Sequence, residues 1–147
     1  MKRGRSLLFL GGAMALATAT YAQVPSPALV VLNKGANELA IVDPVNLKVV
    51  GRVPTGEGPH EVAVSADGKT AFVANYGTGP APGSTLSVID LATRRELKRV
   101  NLGGLRRPHG IVENGGRIYF TCEGNKLIAR YDPASGTLDW MMGTGQE

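Results

Sequence analysis

Residues 59–75 read PHEVAVSADGKTAFVAN, and this stretch decides the fold because its parts recur along the chain. Its first part returns as PHGIV at 108–112, and its last part returns as IYFTC at 118–122. An earlier run, LVVLN at 29–33, matches the same last part. Repetition at a fixed period is the sequence signature of repeat architectures, so the length of the period indicates the fold.

The period of the repeat is about 42 residues. An aspartate closes an apolar run at Asp43, Asp90 and Asp132, which gives spacings of 47 and 42 residues. The longer spacing contains GPAPG at 79–83, a predicted loop without a counterpart in the other repeats, and without these five residues both spacings are 42. Within a repeat, short runs rich in Val, Ile, Phe and Tyr alternate with a period of two between Gly, Asn, Asp and Pro turns. Four antiparallel strands in such a unit make a β-propeller blade.

The sequence therefore predicts an all-β protein, a β-propeller with about three four-stranded antiparallel blades at 28–58, 59–107 and 108–147. The first blade lacks its inner strand, because the run at 29–33 corresponds to the second strand of the later repeats. Propellers close with about 4–8 blades, so we expect an incomplete ring. We interpret the chain as an N-terminal fragment of a longer protein, or else as a subunit that self-associates through open blade edges.

The first 22 residues have the order of a secretory signal peptide. Basic residues at positions 2, 3 and 5 precede an apolar run at 7–19, and the small-x-small sequence TYA follows at 20–22. The apolar run of about 13 residues is too short to span a bilayer of roughly 30 Å. We predict a signal peptide at 1–22, a partial propeller domain at 23–147 without a membrane span, and export to the periplasm or the extracellular space.

Composition excludes several classes of protein. Among 147 residues, 20 Gly and 9 Pro are too many for a helical bundle, and a single Cys rules out an intramolecular disulfide framework. The formal net charge of +4 is largely due to the three cations at positions 2, 3 and 5. Because the remaining chain is nearly neutral and no aromatic residues alternate with basic ones, we expect no nucleic-acid partner.

The repeat resembles the YVTN-type β-propeller proteins, whose blades read roughly P-H-x-x-A-V-S-x-D-G-K-x-x-Y-V-x-N and then V-I-D. Residues 59–75 and SVID at 87–90 follow this pattern, and the resemblance extends from about residue 28 to the C-terminus. The third unit departs from it, with ENGG at 113–116 in place of Ser-x-Asp-Gly. Its YDPASG at 131–136 is similar to streptogramin-lyase and gluconolactonase propellers. The resemblance implies the fold, whereas these families differ in their chemistry.

His60 and His109 are the only histidines, and each follows a proline at the start of an inner strand. We expect both rings near one mouth of the central channel, on adjacent blades. One interpretation is a pocket for an anion, a metal or a redox cofactor; the other, which repetition favours, is a structural histidine bonded to the neighbouring blade's backbone. Glu61 follows His60, but successive strand residues point to opposite faces, so we expect them not to share an ion. Neither a metal site nor a cofactor is therefore assigned, and no catalytic residue is identified.

The other polar candidates favour structural roles. The aspartates that close each repeat are interpreted as turn formers, and Asp67-Gly68 as a two-residue hairpin turn. Cys122 is interpreted as a small buried strand residue. Six cations form one basic cluster, which we interpret as a solvated outer strand rather than a site for an anionic ligand: Arg94, Arg95, Lys98, Arg99, Arg106 and Arg107.

The predicted function is that of an exported β-propeller binding or scaffold protein, whose ligand is an unspecified small molecule or protein. The alternative is a propeller enzyme, either a lactonase-like hydrolase or lyase or a redox propeller with histidine ligands. The sequence contains no serine-nucleophile motif, phosphate loop or paired-carboxylate signature, which favours binding over catalysis.

Overall fold

The computed structural model describes residues 24–145, so the signal peptide predicted at 1–22 lies outside the described residues. The described chain forms eleven strands in three antiparallel sheets of three, four and four strands. None of its helical segments, which are single 3₁₀ turns, has the length and apolar character needed to cross a membrane.

Each sheet is a meander in which consecutive strands pair. The first sheet contains β1 (Leu29–Asn33), β2 (Glu38–Asp43) and β3 (Lys48–Pro54). The second contains β4 (Pro59–Val64), β5 (Thr70–Gly77), β6 (Pro82–Asp90) and β7 (Arg95–Asn101). The third contains β8 (Pro108–Asn114), β9 (Arg117–Cys122), β10 (Leu127–Asp132) and β11 (Thr137–Gly143). The predicted all-β propeller architecture is confirmed, with three blades, the first lacking its inner strand, and an open ring over the described residues.

The five residues at 79–83 are only partly a loop, which corrects the sequence prediction. Strand β6 begins at Pro82, and Pro82 pairs with Gly77 of β5. The backbone N–H of Thr78 donates to the carbonyl of Ala81 at 2.9 Å. The insertion therefore lengthens the β5–β6 hairpin, because its end residues continue the ladder of the two strands.

The aspartates that close the repeats form turns, as predicted. Asp43 Oδ1 accepts the N–H of Val45 at 2.8 Å, Asp90 Oδ1 that of Thr93 at 2.7 Å, and Asp132 Oδ1 that of Ala134 at 2.8 Å. Each carboxylate thus satisfies a backbone donor two or three residues ahead.

The turn between β4 and β5 is longer than the predicted two-residue hairpin. Gly68 has the expected positive φ of 71°, but the backbone pair from Ser65 N–H to Thr70 O, at 2.8 Å, encloses four residues. Asp67 Oδ1 accepts both the hydroxyl of Ser65 at 2.6 Å and the N–H of Lys69 at 3.1 Å. These side-chain bonds pair polar groups of the four-residue loop, so the chain does not need a two-residue turn here.

The core lies between the blades. Alternate residues of β5 point to opposite faces, so Ala71 and Val73 face the first sheet while Phe72 and Ala74 face the third. The buried cluster between the first two sheets consists of Leu39, Ile41, Val53, Ala71, Val73, Ile89 and Leu91. The cluster between the second and third sheets is larger and includes Leu86, Val100, Ile118, Phe120, Ala129 and Tyr131.

Cys122 belongs to the second cluster and is fully buried, which confirms the sequence prediction. Burial raises the pKa of its thiol to about 12, because desolvation disfavours the thiolate. The side chain is therefore a small apolar core residue rather than a nucleophile.

The two outer sheet faces of the described chain carry exposed apolar side chains. Leu29 and Val31 are 49% and 42% exposed on the first sheet. On the third sheet, Val112 and Met142 are 57% and 50% exposed, and Val112 and Trp140 line a shallow groove of about 370 Å³. The corresponding face of the second sheet is covered by the third, so each outer face can pack against a further sheet.

Candidate functional site

The inner strands β4 and β8 bring the two histidines together. His60 is the second residue of β4 and His109 the second residue of β8. Their ring centroids are 3.9 Å apart with an interplanar angle of 39°. Two residues separated by 49 positions in the sequence thus touch at the end of the propeller where the inner strands begin; we call this the channel end.

A β-bulge at each histidine changes which side chains share a face. In β4, Pro59 pairs with Asn75 while Glu61 pairs with Ala74, so His60 is an extra residue in the ladder. Strand β8 has a register shift at the same place, between Pro108 and Ile111. A bulge interrupts the regular alternation of a strand. The premise that His60 and Glu61 point to opposite faces is therefore wrong: a ligand atom from each, and one from His109, lie within 4.8 Å of one another.

Carboxylates face both ring nitrogens of His109. Its Nδ1 lies 3.4 Å from Glu61 Oε1, and its Nε2 lies 3.6 Å from Glu123 Oε1. The hydroxyl of Tyr76 donates a hydrogen bond of 2.7 Å to Glu123 Oε2. A continuous polar chain thus runs from Glu61 through His109 and Glu123 to Tyr76, which joins the second and third blades.

His60 differs from His109 because its Nδ1 is buried without a hydrogen-bond partner in the described structure. Burial lowers the pKa of His60, and the charges of His109 and Lys34 lower it further. The neutral ring is therefore favoured, and a neutral imidazole nitrogen can accept a proton or a metal. An unpaired buried polar atom is costly, so this nitrogen is a candidate ligand atom.

Two cations flank the aromatic ring of Tyr76. The ammonium of Lys34 lies 5.1 Å from the ring centroid, and the guanidinium carbon of Arg107 lies 4.9 Å from it. Arg107 also donates to the carbonyl of Gly79 at 2.9 Å. Tyr76 and Lys34 also line a cleft of about 460 Å³, and the ring of Tyr76 contacts both histidines. The side chains of His109 and Glu61 are partly exposed, so the channel end is accessible from solvent.

The structure separates the members of the predicted basic cluster. Arg107 lies at the channel end, whereas Arg99 forms a two-point ion pair with Glu96, with N–O distances of 2.9 and 2.8 Å. The guanidinium of Arg106 donates to the carbonyls of Gly103 and Leu105. The solvated-strand interpretation therefore fits Arg99, but Arg107 belongs to the candidate site.

Sequence reasoning missed Lys34, Tyr76 and Glu123, although the repeat contains the signal that identifies them. The three residues hold the same place in the repeat, directly after Asn33, Asn75 and Cys122. Lys34 and Glu123 follow the ends of β1 and β9, whereas Tyr76 lies within the longer β5. Equivalent positions of successive blades lie at the same end of a propeller. Comparing the three repeats at this position would have placed a cation, a phenol and a carboxylate beside the histidines.

The three sheets and their inner strands define the chain as a β-propeller protein. No family model matches the sequence, and no curated protein matches it. Among solved structures, it is similar to Kuenenia stuttgartiensis hydrazine synthase, with 22% identity and a TM-score of 0.72 over 91% of this chain and 40% of that one. It is also similar to a streptogramin B lyase, with 19% identity and a TM-score of 0.67 over 83% and 39% of the two chains.

A third similar structure is that of the dihydro-heme d1 dehydrogenase NirN in complex with DHE, with 15% identity and a TM-score of 0.65 over 78% of this chain. The chain spans between a quarter and two fifths of the length of these three proteins. At such identities the similarity shows the fold alone.

Proposed function

We propose that this chain is part of an exported β-propeller binding protein of the YVTN repeat type, with its ligand held at the channel end. One observation carries the proposal: Nδ1 of His60 has no hydrogen-bond partner among the described residues, in a ring whose centroid lies 3.9 Å from that of His109. Binding sites in proteins are concave and combine a few convergent polar groups with an apolar or aromatic wall. Tyr76 supplies such a wall beside the two imidazoles.

The polar chain also supports a second candidate function, that of a propeller hydrolase or lyase. Tyr76 donates to Glu123 at 2.7 Å, and the other oxygen of Glu123 lies 3.6 Å from His109 Nε2, so a small approach would complete a proton relay. A histidine is the commonest general acid or base near neutral pH. Turnover of a simple lactone that is lost in Tyr76→Phe would favour the enzyme, because that change removes only the hydroxyl at the end of the chain.

The binding function and export can be tested in one experiment. The gene is expressed in a Gram-negative host, and the protein is purified without chelators from the periplasmic fraction and measured by native mass spectrometry. We expect a polypeptide that lacks residues 1–22 and carries additional bound mass. The double variant His60→Ala/His109→Ala should lack the bound mass while retaining the circular dichroism of a β-protein. A wild-type protein of unliganded mass, or a variant that keeps the adduct, would contradict the binding function; a chain that still begins at Met1 would contradict export.

The exposed faces support the proposal that the chain also associates with itself. The outward face of the third sheet carries the exposed Met142 and a groove that Val112 and Trp140 line. We expect the wild-type chain to exceed the mass of a single chain in light scattering after size exclusion. Val112→Glu/Met142→Glu should shift it towards the monomer, because charge is not tolerated in an apolar interface. Val45→Glu, at a turn residue that is 88% exposed, is the control and should change nothing. A monodisperse wild-type monomer would refute this association.

A further inference from the structure

We propose that the channel end binds a divalent transition-metal ion, with zinc as the best fit, through His60, Glu61 and His109. This inference rests on the proposed binding function, since it names the class of ligand that the same site takes. Two imidazoles and one carboxylate are a donor set that suits zinc and its neighbours in the first transition row. Magnesium and calcium prefer oxygen donors alone, so they fit this set poorly.

The spacing of the three donors is close to that of a tetrahedral site. Bonds of about 2.0–2.1 Å to a tetrahedral ion place neighbouring ligand atoms about 3.4 Å apart. His109 Nδ1 and Glu61 Oε1 are 3.4 Å apart. All three ligand atoms lie within 4.8 Å of one another, so closing their separations by at most about 1.4 Å completes the set. A ring rotation of His60 can supply this shift.

The surroundings of His109 match those of metal-bound histidines. A ligating histidine almost always donates its second N–H to a carboxylate or carbonyl, which fixes its orientation. When Nδ1 of His109 binds the ion, Nε2 carries the proton and faces Glu123 Oε1 at 3.6 Å. The hydroxyl of Tyr76 in turn orients Glu123 by donating to its other oxygen at 2.7 Å. Glu123 and Tyr76 are therefore positioning residues for His109.

Gly110 provides the space in which Glu61 reaches His109. It stands in β8 where Glu61 stands in β4, so a single carboxylate serves both histidines. A Cβ at Gly110 would lie 3.4 Å from Thr121 Oγ1 and 3.8 Å from Glu61 Oε2, and any longer side chain would meet the carboxylate. The third repeat has glycine where the second has Glu61, and this difference matters to the site. A second long side chain at position 110 would occupy the space that the Glu61 carboxylate needs.

Three protein ligands leave one position of a tetrahedral ion open. Closed four-ligand sites are structural, whereas three-ligand sites keep a position for water or an incoming molecule. The side chains of His109 and Glu61 are 29% and 44% exposed, so a fourth ligand can enter from solvent. We therefore infer an exchangeable ion rather than one that the fold requires.

The test is a zinc titration of the whole chain after stripping with a chelator and desalting, using ZnCl2 against a chromophoric competitor. We expect one ion per chain. Loss of a residue that orients a metal ligand typically weakens metal binding by about 10–100-fold, and we expect this range for Glu123→Gln. A larger loss is expected when a ligand itself is removed, in Glu61→Gln, His60→Ala and His109→Ala. Glu113→Gln is the matched control, because Glu113 lies on β8 and bonds the N–H of Gly116 at 2.7 Å, a bond that glutamine can keep.

A second measurement replaces zinc by cobalt, whose visible absorption is intense in a tetrahedral site. We expect this band in the wild type and in Glu113→Gln and its loss in His60→Ala, with unchanged circular dichroism in all three. Absence of stoichiometric zinc binding, or an affinity that Glu61→Gln and His60→Ala leave unchanged, would overturn the metal site. If the periplasmic protein still carries a histidine-dependent adduct without metal, the binding function holds and only the metal is wrong; if neither is found, both fail.

Discussion

Replacement of Phe120 by alanine is expected to lower the free energy of unfolding by about 3–5 kcal/mol. Phe120 is 1% exposed and lies in the cluster between the second and third sheets. Its loss removes buried apolar surface and leaves a cavity that neighbouring strands, held by their ladders, cannot close. Urea denaturation followed by circular dichroism, at concentrations below those at which the chain associates, measures the effect.

Leu97→Ala is the matched control for this prediction. Leu97 lies on the outer strand β7 and is 61% exposed, so its truncation should change the free energy of unfolding by no more than about 0.5 kcal/mol. Comparable losses in the two variants would mean that the second and third sheets do not pack as neighbouring blades.

Gly58→Ala is expected to cost about 3 kcal/mol or more and to abolish binding at the channel end. Gly58 has φ of +60°, and a Cβ there would collide with the backbone carbonyl of Gly77. Its own carbonyl accepts the N–H of Tyr76 at 3.0 Å. Because Gly58 directly precedes Pro59 and His60, moving this backbone displaces the first histidine as well as the tyrosine.

Gly68→Ala separates the collision from the strain of a positive φ. Gly68 has φ of +71°, but nothing lies within 4 Å of the Cβ position, so only about 1 kcal/mol is expected. Arg107, which precedes the second Pro-His pair, also has a positive φ of 56°, so the conformation itself is compatible with a side chain. Equal losses in Gly58→Ala and Gly68→Ala would show that the contact with Gly77 does not constrain this backbone.

The blade architecture could be predicted from the sequence because it depends on features that repeat. Alternation along β5 assigns Phe72 and Val73 to opposite faces, and the aspartate that closes each repeat accepts a backbone N–H of the following turn in every blade. The insertion at 79–83 was misjudged because proline and glycine signal a loop, whereas pairing with Gly77 keeps Pro82 in the ladder. Local composition cannot indicate how far a hairpin extends beyond its usual length.

The channel end was predicted only in part, for a related reason. Repetition placed His60 and His109 at one end, but it also implied that they have the same surroundings. The structure gives His109 two carboxylates and leaves Nδ1 of His60 without a partner. These differences arise from Glu61, Gly110 and Glu123, which break the repeat. The bulges occur at both histidines, and the alternation of apolar residues does not reveal them.

The contact between the two histidine rings is the most direct test of the arrangement, because it requires two adjacent blades to meet at their inner strands. A nuclear Overhauser measurement on the protein with labelled histidines, stripped of metal, reports this contact without any ligand. With ring centroids 3.9 Å apart, we expect strong cross-peaks between the ring protons of His60 and His109, and weaker ones from each ring to Tyr76 at 5.2 and 5.5 Å. Absence of the histidine–histidine cross-peaks in a folded protein would contradict both the blade arrangement and the site.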